Sequence, residues 1–140
     1  MYDYKNFTVA VDFDNTCVVA GETYPEFTRN VPYAVDTLKE LVKLNIRIVL
    51  WTCRTGNELA VAVDWFKDNG IPLYGVCDNP DPYWVKNPTR KIYADVYVDD
   101  KGLGVPLYYQ HRARQWLVDW RCVYNMIIRI YRNWEAHKNE

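Results

Sequence analysis

"VAVDFDNTC", residues 9–17, is the stretch on which the fold turns. Val9, Val11 and Phe13 alternate as strand formers do. The run ends on two aspartates one residue apart, Asp12 and Asp14, with Asn15 and Thr16 behind them. A buried strand that closes on two carboxylates sets negative charge at the edge of a sheet, and the rest of the chain shows what that charge faces.

Outward from this point, residues 7–13 form a first strand and residues 14–31 are turn-prone. Pro32 opens a helix, with Val35, Leu38, Leu41 and Val42 at helical spacing up to Asn45. "IRIVLW" (46–51) is a short β-branched strand that ends at "TCRTGN". Thr55 or Asn57 caps a second helix, whose Leu59, Val63 and Phe66 lead to a stop at Gly70. "IPLYGVC" (71–77) is a third strand, "DNPDPYWVKNP" (78–88) is a proline-rich loop, and "DVYV" (95–98) is a fourth strand running into Asp99 and Asp100. Residues 111–136 read as one long helix. In it Trp116, Leu117, Trp120, Val123, Tyr124, Ile127, Ile130, Tyr131 and Trp134 recur at steps of three and four. That stripe is a core-facing seam or, in a second reading, a dimer face or substrate wall. Strands alternating with helices predict a three-layer, Rossmann-like α/β fold: a parallel sheet, right-handed crossovers, and helices on both faces.

The chain has 140 residues, 17 lysines and arginines against 18 aspartates and glutamates, and a formal net charge of −1. This length predicts a single domain over 1–140, with a motif-bearing core in 1–105 and a C-terminal helical extension in 106–140. The charge balance does not favour a nucleic-acid surface. Apolar runs are interrupted well before the roughly 20 residues a membrane helix needs. The polar N-terminus "MYDYKNFT" predicts no signal peptide. Cys17, Cys53, Cys77 and Cys122 are scattered, as expected of reduced thiols in a cytoplasmic protein.

In an open parallel sheet, ligands bind beyond the carboxyl ends of the strands. Each such end here carries polar residues directly after an apolar run. The first strand gives Asp12 and Asp14, the second Thr52 and Arg54, and the fourth Asp99 and Asp100, with Lys91 shortly before it. Acids gathered in this way repel one another without a cation, and hard oxygen ligands suit Mg²⁺. Any one of these residues alone is an ordinary cap, turn or surface group. Their order along the chain carries the information.

That order resembles the haloacid dehalogenase-like (HAD) superfamily. Its first motif, hhhDxDxT, is matched by "VAVDFDNT", its second, an apolar run ending in Thr or Ser, by "IVLWT", its third, a lysine, by Lys91, and its fourth by "VYVDD". Lys86 and Arg90 compete with Lys91 for the third. A response-regulator receiver carries its acids, hydroxyl and lysine in another order, and the P-loop signature is absent. The resemblance implies a phosphomonoester hydrolase. Asp12 would be the nucleophile and Asp14 the general acid and base. Mg²⁺ would be held by the Asp12 carboxylate, the Asp14 backbone carbonyl and Asp99, with Asp100 in support. Thr52 and Lys91 would bind the transferring oxygens, and Asn15, Thr16 and Arg54 are expected among the substrate contacts. An acid at position 14 points to a phosphatase, because family ATPases that preserve their phospho-aspartate have a non-acid there.

Between the motifs there is no room for the cap domain of larger family members. Residues 17–31 allow only a short flap, so the chain reads as capless. Water would then be excluded by a macromolecular substrate, a second subunit in a homo-oligomer, or the loop bearing Tyr83 and Trp84. Two other readings stay open. One is the same chemistry on a nucleic-acid terminal phosphate. The other is a non-catalytic HAD-fold assembly module that uses the Trp-rich C-terminal helix as its interface.

Overall fold

The computed structural model describes residues 5–140; the first four residues, part of the polar stretch read for a leader, lie outside the described residues. In chain order the elements are β1 (Thr8–Val11), β2 (Val18–Ala20), β3 (Phe27–Asn30), α1 (Ala34–Lys43), β4 (Arg47–Leu50), α2 (Gly56–Asp68), β5 (Gly75–Val76), α3 (Pro82–Lys86), β6 (Val96–Val98), β7 (Leu107–Gln110), β8 (Gln115–Val118) and α4 (Trp120–His137).

Four strands form a parallel sheet in the order β5-β4-β1-β6, with Val11 opposite Leu50 on one side and Val98 on the other. The apolar alternation that predicts β1 also sets its faces. Phe7, Val9, Val11 and Phe13 join Ile48, Leu50 and Val98 in one core with Leu38 and Leu41 of α1, Ala62 and Phe66 of α2, and Val123 and Ile127 of α4. Right-handed crossovers place α1 and α2 on this same face, because both connections step in the same direction along the sheet. The return from β5 across to β6 therefore crosses the other face. There the covering segment is irregular apart from the five residues of α3, and its Ile92 and Ala94 are buried along with Ala10 and Val49. The second layer of helix is thus much thinner than the first.

The third strand, expected over 71–77, shortens to Gly75–Val76, the expected loop 78–88 carries α3, and two further regions depart from the expected pattern. The turn-prone stretch 14–31 forms an antiparallel hairpin, β2–β3, rooted directly after Asp14. The long C-terminal helix begins at Trp120 rather than at 111. Residues 107–118 form a second hairpin, in which Tyr109 faces Trp116 and Gln110 faces Gln115. The three- and four-residue spacing of Trp116, Leu117 and Trp120 fits a helix, but pairing with β7 wins over it. Asp119 then caps α4 by accepting from Cys122 N at 3.3 Å.

From Trp120 onward the aromatic stripe faces the core. Trp120 is 1% exposed, and Phe7 packs edge-on against Tyr131 and Trp134 with centroids 5.5 Å away in each case. No helix among the described residues is long and apolar enough to cross a membrane. No two of the four cysteines are paired.

Candidate metal and catalytic site

β1 lies between β4 and β6, so the chain switches direction at its carboxyl end, where open sheets form their ligand crevice. The ladder holds to the last residue: Trp51 N donates to Val11 O at 2.8 Å and Asp12 N to Val98 O at 2.9 Å. Asp12 continues the alternation of Thr8 and Ala10, so its carboxylate leaves the sheet away from the large apolar core.

The loop that follows is fixed by its own residues. Asn15 takes a left-handed φ of 60°, and its Oδ1 accepts from Ala20 N at 3.0 Å, which starts the hairpin. Thr16 is fully buried. Its Oγ1 donates to Asp12 Oδ2 at 3.0 Å and accepts from Asp100 N at 3.1 Å, and its carbonyl accepts from Trp120 Nε1 at 2.6 Å. The Cys17 thiol donates to Asp12 O at 3.3 Å.

This wiring brings Asp12, Asp99 and Asp100 together, each with a carboxylate oxygen within 4.8 Å of the others. At that separation and an effective dielectric constant near 20, each ionised pair repels by on the order of 3 kcal/mol. Desolvation, with the Asp99 charge next and a hydrogen bond to Asp100, pushes Asp12 up to about 8 from an ordinary value of 3.8. Desolvation raises Asp100 as well. Lys101 lies 3.9 Å from Asp100 with its side chain 88% exposed; a pair so exposed contributes at most about 1 kcal/mol and leaves the repulsion standing. Three hard oxygen donors that destabilise one another when ionised fit a divalent cation.

The Asp14 carboxylate stands apart from this cluster. Arg54 Nε donates to Asp14 Oδ2 at 2.9 Å and Arg54 Nη2 to Asp14 Oδ1 at 2.7 Å, a two-pronged ion pair. The guanidinium is 2% exposed. It also donates to Pro25 O at 2.7 Å and Glu58 O at 3.3 Å, and it lies over the Phe13 ring at 4.8 Å. One arginine thus ties together the tip of the first hairpin, the start of α2 and the second aspartate of the motif.

The other expected site residues fall out unevenly. Thr52 sits just past the end of β4, with Oγ1 accepting from Arg54 N at 3.1 Å. Asn15 and Thr16 spend their side chains on the loop and on Asp12. Arg54 is committed to Asp14. The structure does not bring Lys91 to the acids. Its segment is held at the amino end of β1, where Asp95 N donates to Thr8 O at 2.8 Å, and Lys91 Nζ lies 5.4 Å from the centre of the Tyr97 ring. Lys86 and Arg90 are exposed. Two contributors escaped the sequence reading. Lys101 directly follows the two acids and had that adjacency as its signal. The Trp120 indole, 104 residues from Thr16, left no local signal.

Among solved structures, the chain is similar to a conserved protein coded by a locus from Bacteroides thetaiotaomicron. The two are 33% identical and superpose with a TM-score of 0.71, over 89% of this chain and 91% of that one. No protein-family model and no curated protein matches the chain.

Two outcomes follow from this geometry. Because the folded chain keeps a proton on Asp12 that the unfolded chain has lost, rising pH destabilises the metal-free fold between about 4 and about 8. Thermal melts in a chelator should show the melting temperature falling across this window, and added Mg²⁺ should raise it more at pH 8 than at pH 5; a flat profile in both would contradict the cluster. Arg54→Met strands a carboxylate and two carbonyls, and urea unfolding should show a loss of roughly 3 kcal/mol, partly restored by adding Asp14→Asn. A loss below about 0.5 kcal/mol would show the pair to be solvated.

Proposed function

This chain belongs to the same family as the conserved Bacteroides thetaiotaomicron protein, and from the acids at its sheet edge we propose that it is a capless, HAD-like hydrolase of phosphomonoesters. The observation that carries the proposal is the division of labour between two aspartates one residue apart. Asp12 is held by Thr16 among Asp99 and Asp100, while Asp14 is held outside that cluster by Arg54.

The chemistry follows from those positions. An Asp12 carboxylate oxygen attacks phosphorus in line, an Asp12 O–P bond forms, and the bond to the leaving oxygen breaks. Asp14 gives that oxygen its proton, then takes one from the water that attacks the aspartyl-phosphate and releases phosphate and free Asp12. Both Asp14 oxygens accept from Arg54, and each keeps a second lone pair for the proton that it carries.

Asp12, Asp99 and Asp100 would hold a Mg²⁺ ion, which when bound offsets the repulsion between carboxylate and phosphate. Thr52 supplies a hydroxyl to the transferring oxygens. Lys101 stands at the acids, and Lys91 would have to leave the Tyr97 ring to join it.

Turnover of p-nitrophenyl phosphate is the direct test. The wild type should hydrolyse it with Mg²⁺, lose the activity in EDTA, and fall to background as Asp12→Asn. Undiminished activity in that variant would overturn the nucleophile assignment.

A further inference from the structure

Beyond the sheet edge, the two hairpins lie against each other. Val118 N donates to Asn15 O at 3.2 Å, Gln115 Nε2 donates to Ala20 O at 2.7 Å, and the Arg29 guanidinium donates to Gln110. Between them runs an open groove of about 730 Å³. Arg29 lines it from β3, and Arg112 and Arg114 line it from the β7–β8 turn, with Thr28 and Gln115 beside them and Glu22 as the single acid.

Three guanidiniums against one carboxylate is a marked local excess in a chain whose net charge is −1. Among the described residues none of the three forms an ion pair, and Arg112 and Arg114 are exposed. Gln110 is an uncharged partner that orients Arg29 without cancelling its charge. The groove is also built from segments some eighty residues apart in sequence, so the arginines meet by folding rather than by sharing one basic run. Planar guanidiniums in a concave polar site match phosphate oxygens by paired N–H···O bonds.

We propose that this groove is a second anion site, taking a phosphate group other than the one cleaved. Its walls are rooted in the catalytic loop. Asn15, next to Asp14, anchors β2 through its side chain and β8 through its carbonyl. An anion held there is held by the same segment that positions Asp12. The phosphate is either a further group on the substrate itself or a separate ligand. The substrate role rests on the hydrolase reading, whereas binding to the groove does not.

The test is calorimetric titration of inorganic tripolyphosphate in EDTA, which removes cation-mediated binding at the acids. Wild type and Asp12→Asn should bind alike, and Arg112→Ala/Arg114→Ala should weaken binding on the order of tenfold or more, with an unchanged melting temperature. No binding to the wild type, or equal binding to the double variant, overturns the proposal. A loss confined to Asp12→Asn would place the anion at the acids and overturns it too. Steady-state kinetics then separate the two sources. A KM raised for a nucleoside 3′,5′-bisphosphate but not for p-nitrophenyl phosphate assigns the groove to the substrate's second phosphate. Unchanged KM for both, with tripolyphosphate binding lost, assigns it to a separate ligand. A wild type that binds tripolyphosphate but hydrolyses neither ester refutes the hydrolase reading and leaves the groove standing.

Discussion

A single buried hydroxyl holds the candidate site together. Thr16 Oγ1 donates to the Asp12 carboxylate and accepts from the Asp100 backbone, so beyond the last ladder bond, Asp12 N to Val98 O, one buried side chain ties the Asp12 carboxylate to the segment that follows β6. Its carbonyl is taken by Trp120, which brings the start of the C-terminal helix into the same set of contacts. Unsatisfied, each of these buried groups would cost about 1–3 kcal/mol. The acids have no such freedom to rearrange. They are crowded because the loop crowds them; burial first, and the Asp99 charge next, push Asp12 up to about 8.

Arg54 does for the second aspartate what Thr16 does for the first. Its reach from the end of β4 to the first hairpin and to α2 means that Asp14 cannot shift without disturbing the hairpin that stands over the sheet edge. The proposed acid–base group and the proposed substrate-selecting hairpins are therefore parts of one mechanical unit.

Much of this was legible in the sequence. The alternation of Val9, Val11 and Phe13, the helical spacing of Leu38 and Leu41, and the "DVYV" run each reported a local periodicity, and the parallel order followed from their alternation. Asp12, Asp99 and Asp100 were legible because strand ends in such sheets share an edge. What failed to show was non-local. The β7–β8 hairpin was hidden because Trp116 and Leu117 fit the spacing of the helix behind them, and only pairing with Leu107–Gln110 decides otherwise. The commitment of Arg54 to Asp14 spans 40 residues and depends on the hairpin folding back. The position of Lys91 is set by the Asp95–Thr8 pairing, which no spacing rule predicts.

In the proposed mechanism Asp12 carries the phosphoryl group between two displacements, and covalent trapping can catch it there. In Asp14→Asn the first displacement from p-nitrophenyl phosphate needs no proton donor, while the second lacks its base. Acid quench during turnover with Mg²⁺, followed by peptide mass spectrometry, should find a phosphoryl adduct accumulating on Asp12. Turnover by the wild type with no adduct in the variant, or an adduct on another residue, would contradict the account.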